Sequence, residues 1–347
     1  MRLARILAAT ATAAALAALA ACGSSSDEGV DTGAPAAEDS AQFPVTLEHV
    51  YGKTVVEEQP ERVATVAWSN HEVPLALGVV PVGMSKAAWG DDDGDGVLPW
   101  VEDRLAELGA ETPVLFDETE GIDYEAVADT APDVILASYS GLTREEYDQL
   151  SKIAPVVAYP EIAWGTSMQD MIRLNSRAIG LAEEGDRLIE KLDARVADSF
   201  EAYPALAGKN AIFTYLDPAD LSQIGFYTTH DTRPGFLASV GMGTPQVVAD
   251  ASAGTEEFYT TLSAEQADQF DDVDLVITYG DAEGELVESM QADPLIGKIP
   301  AVADGAVATL VDSTPLAAMA NPSPLSIPWG IDDYFGLMAE ALEKGRR

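Results

Sequence analysis

One stretch of the chain has the residue types and spacing of a hard-cation loop. In Asp91-Asp92-Asp93-Gly94-Asp95-Gly96-Val97-Leu98-Pro99-Trp100-Val101-Glu102, acids stand at positions 1, 3, 5 and 12, glycine at 6 and apolar Leu98 at 8. Carboxylates so spaced converge their oxygens on one calcium ion, and the glycine permits the sharp turn. Two departures weigh against this. Pro99 stands at position 9 and no helical stretch leads into Asp91, and Asp/Gly turns arise easily in an acidic chain. Other reactive groups are scarce. Cys22 is the only cysteine, which excludes intramolecular disulfides, cysteine zinc sites and thiol catalysis in the folded body. Three histidines, His49, His71 and His230, are too few for a histidine-rich metal importer. His71 or His230 could serve as a base, but no G-x-S-x-G elbow, H-E-x-x-H helix or ordered triad accompanies them, so no enzyme is expected and no cofactor is required. With 59 acids against 19 bases, the formal charge of −40 excludes a nucleic-acid partner, because phosphate neutralisation needs basic patches.

The elements that would position a site repeat along the chain. Of 347 residues, 47% are hydrophobic, enough for one large or two medium cores. Arg62 to Trp68 reads as a β-rich run, followed by a helix carrying Val73, Leu75, Ala76 and Leu77 that stops at Gly78. Short strands are expected over 79–83 and 133–138. The later half begins again with a strand over 211–215, a helix around 235–240 and a strand over 274–279. Strands alternating with helices predict a mainly parallel two-sided α/β sheet in each half. An internal echo supports related lobes: Asp123 and Ser263 are capping residues two positions before Glu125 and Glu265, and each copy leads into a buried strand. Between the halves, 166–203 lacks an internal proline and keeps apolar residues at helical spacing, from Met171 through Leu188 to Phe200. The spacing predicts a long connecting helix; the alternative is two helices with a turn near Gly185. The resulting division is 43–165, 166–203 and 204–347.

Residues 1–21 carry Arg2 and Arg5 ahead of an Ala/Leu run, with no acid before Asp27, as in a secretory signal. The run ends in Leu19-Ala20-Ala21-Cys22-Gly23, the pattern of a bacterial lipobox, in which the Cys22 thiol would be acylated; an ordinary cleaved signal is the alternative. Residues 22–42, rich in Ser, Gly, Ala and acids, read as a flexible tether. The expected location is the extracytoplasmic face of the cell membrane, with the lipid at Cys22 as the anchor.

Several segments in order resemble the iron–siderophore substrate-binding lipoproteins of ABC importers: His49-Val50-Tyr51-Gly52-Lys53-Thr54, Pro60-Glu61-Arg62-Val63, Ala76 to Gly83, Ala131-Pro132-Asp133-Val134-Ile135, Leu150 to Val157 and Gly235-Phe236-Leu237. The pieces fall within 45–340, behind the lipobox. The resemblance implies two Rossmann-like α/β lobes joined by a long helix, with a ligand cleft between them. It also implies a monomer that captures a ferric siderophore and delivers it to an ABC permease; heme and cobalamin are the nearest alternative cargoes. A ligand-free adhesive or signalling lipoprotein is a third reading.

Open α/β sheets bind ligands beyond the carboxyl ends of their strands. That rule selects Trp68, Ser69, His71, Trp89, Ser138 and Tyr139 in the first lobe, and Tyr215, Tyr227, Arg233, Tyr279 and Trp329 in the second. Aromatic side chains suit a bulky chelate that already supplies the iron's ligands. Arg233 could aim its fork of donors at chelating oxygens. Each aromatic could equally be core, and Arg233 could simply pair with Asp231. Few basic residues favour a neutral or cationic hydroxamate chelate over an anionic catecholate. The resemblance further implies one exposed glutamate per lobe for the permease, here Glu125 and Glu265, with Glu256 or Glu257 as substitutes for the latter.

Overall fold

The computed structural model describes residues 43–346; the expected signal over 1–21, Cys22 and the tether through residue 42 lie outside them. The fold opens with an antiparallel hairpin of β1 (Val45–His49) and β2 (Gly52–Val56). The first lobe follows as β3 (Val63–Thr65), α1 (Glu72–Ala76), β4 (Gly83–Ser85), α2 (Pro99–Leu108), β5 (Val114–Phe116), α3 (Tyr124–Asp129), β6 (Val134–Leu136), α4 (Arg144–Leu150) and β7 (Val156–Val157). Its sheet is ordered β5-β4-β3-β6-β7 and every pairing is parallel. β3 and β6 are buried at every position, as strands covered on both faces must be. The run over 79–83 is a strand only from Gly83 onward, because Pro81 has no N–H to give to a ladder.

The second lobe is built from β8 (Ala211–Thr214), β9 (Gln223–Tyr227), α7 (Thr232–Ser239), α8 (Gln246–Ala253), β10 (Tyr259–Ser263), β11 (Leu275–Gly280), α9 (Glu285–Ala292), α10 (Pro300–Ala303), β12 (Val307–Val311), α11 (Pro315–Met319) and α12 (Ser326–Lys344), with α5 (Met168–Ala178) and α6 (Ala182–Glu201) leading into it. Its sheet, β10-β9-β8-β11-β12, is mixed rather than mainly parallel. β8, β11 and β12 are parallel, but β9 is antiparallel to both its neighbours, β8 and β10. The cause is local: β8 passes to β9 through a loop over 215–222, and a parallel partner would need a full crossover.

A single connecting helix over 166–203 is not what forms. The segment is two helices, α5 (Met168–Ala178) and α6 (Ala182–Glu201), broken at Gly180, whose φ is +77°. They fold back on each other, and Gly185 sits in their contact rather than in the turn: a Cβ there would lie 2.1 Å from Ser176 Oγ. Two amphipathic helices bury more apolar surface packed together than one does as an exposed strut. The lobes also share a core. One cluster joins Val73, Met84 and Val101 of the first lobe to Ile172 and Ile189 of α5 and α6, and to Phe213, Ile277 and Phe335 of the second.

Candidate functional site

A cavity of about 260 Å³ lies between the sheets, lined by Trp68, Trp89, Tyr139 and Trp164 from the first lobe and by Asp231, Arg233, Phe258 and Tyr279 from the second, with Ala318 and Asn321 after β12. Trp68 is placed by an unusual turn. Immediately beyond β3, Ala67 and Ser69 on either side of it both adopt left-handed φ, +61° and +60°. Such φ values are uncommon outside glycine and need outside support. The Glu118 carboxylate gives it, accepting from the Ala67 N–H at 2.9 Å. Burial pushes the Glu118 carboxyl up to about 7.

Asn70 then ties the loop after β3 to the loop after β6. Its Nδ2 donates to the carbonyls of Val66 (2.9 Å) and Tyr139 (2.8 Å), and its Oδ1 accepts from the Tyr139 N–H (3.1 Å). Tyr139 is thereby fixed as one wall, edge-on to Trp164 at 5.4 Å. Its hydroxyl crosses to the second lobe and accepts from Asn321 Nδ2 at 2.8 Å. Burial raises the phenol to about 12, so it stays protonated. Trp89 closes the rim against Tyr279, with ring centroids 5.3 Å apart and perpendicular.

The charged part of the wall is one pair at the start of α7. Asp231 caps that helix, its Oδ1 accepting from the Arg233 N–H at 2.9 Å. The Arg233 guanidinium lies over Tyr227 and stands 3.7 Å from Asp231 Oδ2, beyond hydrogen-bond range. Its Nε and Nη1 are buried without a protein acceptor. Burial raises the Asp231 carboxyl, and the Arg233 charge opposes that rise.

Trp68, Trp89, Tyr139, Arg233 and Tyr279 are thus brought together as the strand-end rule expected. Tyr227 sits beneath Arg233 rather than on the cavity wall. The others are corrections. Ser69 and His71 line a second, smaller pocket with Lys86 and Gly96, which Trp68 separates from the main cavity by contributing to both. Burial drives His71 down to about 4. Ser138 is fully buried and donates to Asn70 Oδ1 at 3.3 Å, an internal role. Tyr215 is 52% exposed beyond the end of β8. Trp329 belongs to α12 and packs on Trp100 at 5.1 Å, in a separate groove with Arg104 and Lys191. Sequence reasoning missed Trp164, Phe258, Ala318 and Asn321 as wall residues and treated Asp231 only as a partner. Trp164 follows β7, so the same rule would have found it had that two-residue strand been recognised.

Glu125 and Glu265 are exposed in first turns capped by Asp123 and Ser263, although the second element is a 3-10 helix, Ala264–Phe270. The carboxylates of Asp91, Asp93 and Asp95 lie within 4.8 Å of one another. Glu102 stands outside that group, and its carboxyl is raised by burial and by the charges of Asp95 and Asp93. His230 is tied up structurally, donating from Nε2 to the Thr255 carbonyl at 2.8 Å. No helix among the described residues is long and apolar enough to cross a membrane.

Comparison with known proteins places these features in a wider set. The profile of a family described as periplasmic binding protein matches residues 63–314. The crystal structure of PiaA from Streptococcus pneumoniae TIGR4 in complex with ferrichrome superposes with a TM-score of 0.82 at 44% identity, covering 86% of this chain and 99% of that one. The Fe(3+) dicitrate-binding periplasmic protein FecB of Escherichia coli is 25% identical over 81% of this chain and 86% of its own length. The probable siderophore-binding lipoprotein YfiY of Bacillus subtilis is 30% identical over 156 residues, so the match spans less than half of either protein, 44% of each.

Proposed function

The chain belongs to the periplasmic binding protein family, and from that premise we propose that it captures a ferric siderophore of the hydroxamate type in the cavity between its lobes and delivers it to an ABC permease. The observation that carries this reading is Arg233: a guanidinium buried on an aromatic face with Nε and Nη1 unsatisfied, inside a cavity walled by aromatic rings. Buried donors without partners cost free energy, and oxygen atoms on a bound ligand would recover it. A ferric hydroxamate offers such oxygens on a bulky, largely apolar body. The ferrichrome complex of PiaA, at 44% identity, supports the same cargo class.

Within this reading Trp68, Trp89, Tyr139, Trp164, Phe258 and Tyr279 hold the chelate by contact, Arg233 by hydrogen bonds, and Tyr227 keeps Arg233 in place. The two lobes are 43–165 and 204–347. Glu125 and Glu265 meet the permease. Acylated Cys22 anchors a monomeric body to the extracytoplasmic face of the membrane. The Asp91 to Glu102 loop takes calcium as a weak structural ion, expected to raise the melting temperature over an EDTA control.

The direct test is tryptophan fluorescence of the purified protein titrated with ferrichrome, a ferric catecholate, ferric dicitrate, heme and cobalamin. Three of the five tryptophans line the cavity, so an occupant should quench them. Saturable submicromolar quenching by the hydroxamate complex supports the reading. Quenching by heme or cobalamin alone would replace the cargo, and silence towards all of them would leave the adhesive or signalling lipoprotein.

A further inference from the structure

We propose that Asp231 is a specificity residue that turns away chelates carrying net negative charge. The inference rests on the siderophore reading above and deepens it, because it names what decides between ligand classes at that site.

Among the described residues, Asp231 and Arg233 are the only charged ones lining the cavity. Their geometry separates two roles that an ordinary ion pair would merge. The Asp231 carboxylate is held by the helix it caps, through the Arg233 backbone N–H at 2.9 Å, and not by the guanidinium. At 3.7 Å from Nη1, its Oδ2 cancels the Arg233 charge without occupying the Nε and Nη1 donors. The cavity wall therefore carries a guanidinium with unspent hydrogen-bond capacity in a site of zero net formal charge.

That combination has a selective consequence. Three hydroxamates neutralise Fe(III), so a trihydroxamate complex such as ferrichrome is neutral yet still presents polarised oxygens to Arg233. A ferric dicitrate complex carries surplus negative charge, and any attraction to Arg233 is offset by repulsion from a carboxylate a few ångströms away. Both charges are shielded from water, since the side chains of Arg233 and Asp231 are only 15% and 1% exposed. Screening is weak in such a place, and a unit charge a few ångströms from the carboxylate changes affinity by tenfold or more at an effective dielectric of about 20. Without Asp231, the same donors would sit in a cationic cavity that favours the anionic chelate.

The test is the ratio of dissociation constants for ferric dicitrate and ferrichrome, read by tryptophan quenching in the wild type and in Asp231→Asn. Asparagine caps helices as well as aspartate does, so the start of α7 is retained while the charge is lost. Asp231→Ser, a second good cap, guards against a fault peculiar to the amide. Asp271→Asn removes one charge from an exposed loop and controls for net charge. The expected result is a ratio that falls at least about tenfold in both Asp231 variants and does not move in Asp271→Asn. A wild type that binds ferrichrome, with a ratio unchanged in folded Asp231 variants or shifted equally by Asp271→Asn, overturns the proposal alone. A wild type that binds neither complex overturns the siderophore reading and this proposal together.

Discussion

The guanidinium carbon of Arg233 lies 4.0 Å from the centroid of the Tyr227 ring. This one contact explains how a cation can be buried in the wall of an aromatic cavity and still keep free donors. The ring quadrupole satisfies part of the charge without accepting a hydrogen bond. Phe213 adds a second face at 5.8 Å, and both rings belong to the sheet of the second lobe, so the platform is rigid.

Arg233→Lys should weaken ferrichrome binding by roughly ten- to a hundredfold, because lysine keeps the charge beside Asp231 but loses the planar fork. Tryptophan quenching reads the effect. A lysine variant with unchanged affinity would mean that Arg233 does not contact the chelate.

His71 makes stability depend on pH in a defined direction. Its folded pKa, driven down by burial to about 4, lies below the unfolded value of 6.5. The unfolded chain therefore takes up a proton that the folded one refuses, and stability present above pH 6.5 is lost as pH falls towards 4, by about 3 kcal/mol in all. Glu118, raised to about 7, works the other way, with stability rising as pH falls from 7 towards 4.5. The two are separated by variants: denaturant melts of His71→Gln should lack the acid-side loss that the wild type shows. Equal pH slopes in both proteins would refute the assignment.

Glu72 fastens α1 of the first lobe to the segment entering α12. One carboxylate oxygen accepts from Trp100 Nε1 at 2.9 Å, the other from Ser323 Oγ at 2.5 Å and the Leu325 N–H at 3.0 Å. Glutamine has a single acceptor oxygen and turns an NH2 towards one of these donors. Glu72→Gln should cost about 1–3 kcal/mol in urea unfolding, with the buried donors left unpaired. A loss below a few tenths of that range would show that water replaces the carboxylate.

Gly185 marks where α5 and α6 touch. Gly185→Ala places a methyl against Ser176 and should destabilise by about 1–3 kcal/mol, although alanine favours helix intrinsically. The double variant with Ser176→Gly should recover much of that loss, and failure to recover would point to strain elsewhere.

Ligand should contract the protein only slightly. The lobes share one core cluster and the Glu72 tie, so a wide hinge swing would expose buried apolar surface. Solution scattering with and without ferrichrome checks this; a large fall in the radius of gyration would contradict it.

Much of this protein is legible in its sequence because the signals are local. The continuous apolar runs of β3, β6 and β11, the helix stop at Gly78 and the capped starts at Asp123 and Ser263 depend on neighbours a few residues away. So does the strand-end rule that put Trp68, Tyr139, Arg233 and Tyr279 near a cleft. Other features depend on contacts between distant residues. The break at Gly180 is set by the packing of α5 on α6, and the left-handed turn around Trp68 is held by Glu118, which grips it from 51 residues further along the chain. Above all, only the folded chain separates Asp231 from the donors of Arg233. Adjacency in sequence suggests a spent ion pair, whereas the helix cap holds the carboxylate aside and leaves Nε and Nη1 of the guanidinium without a protein acceptor.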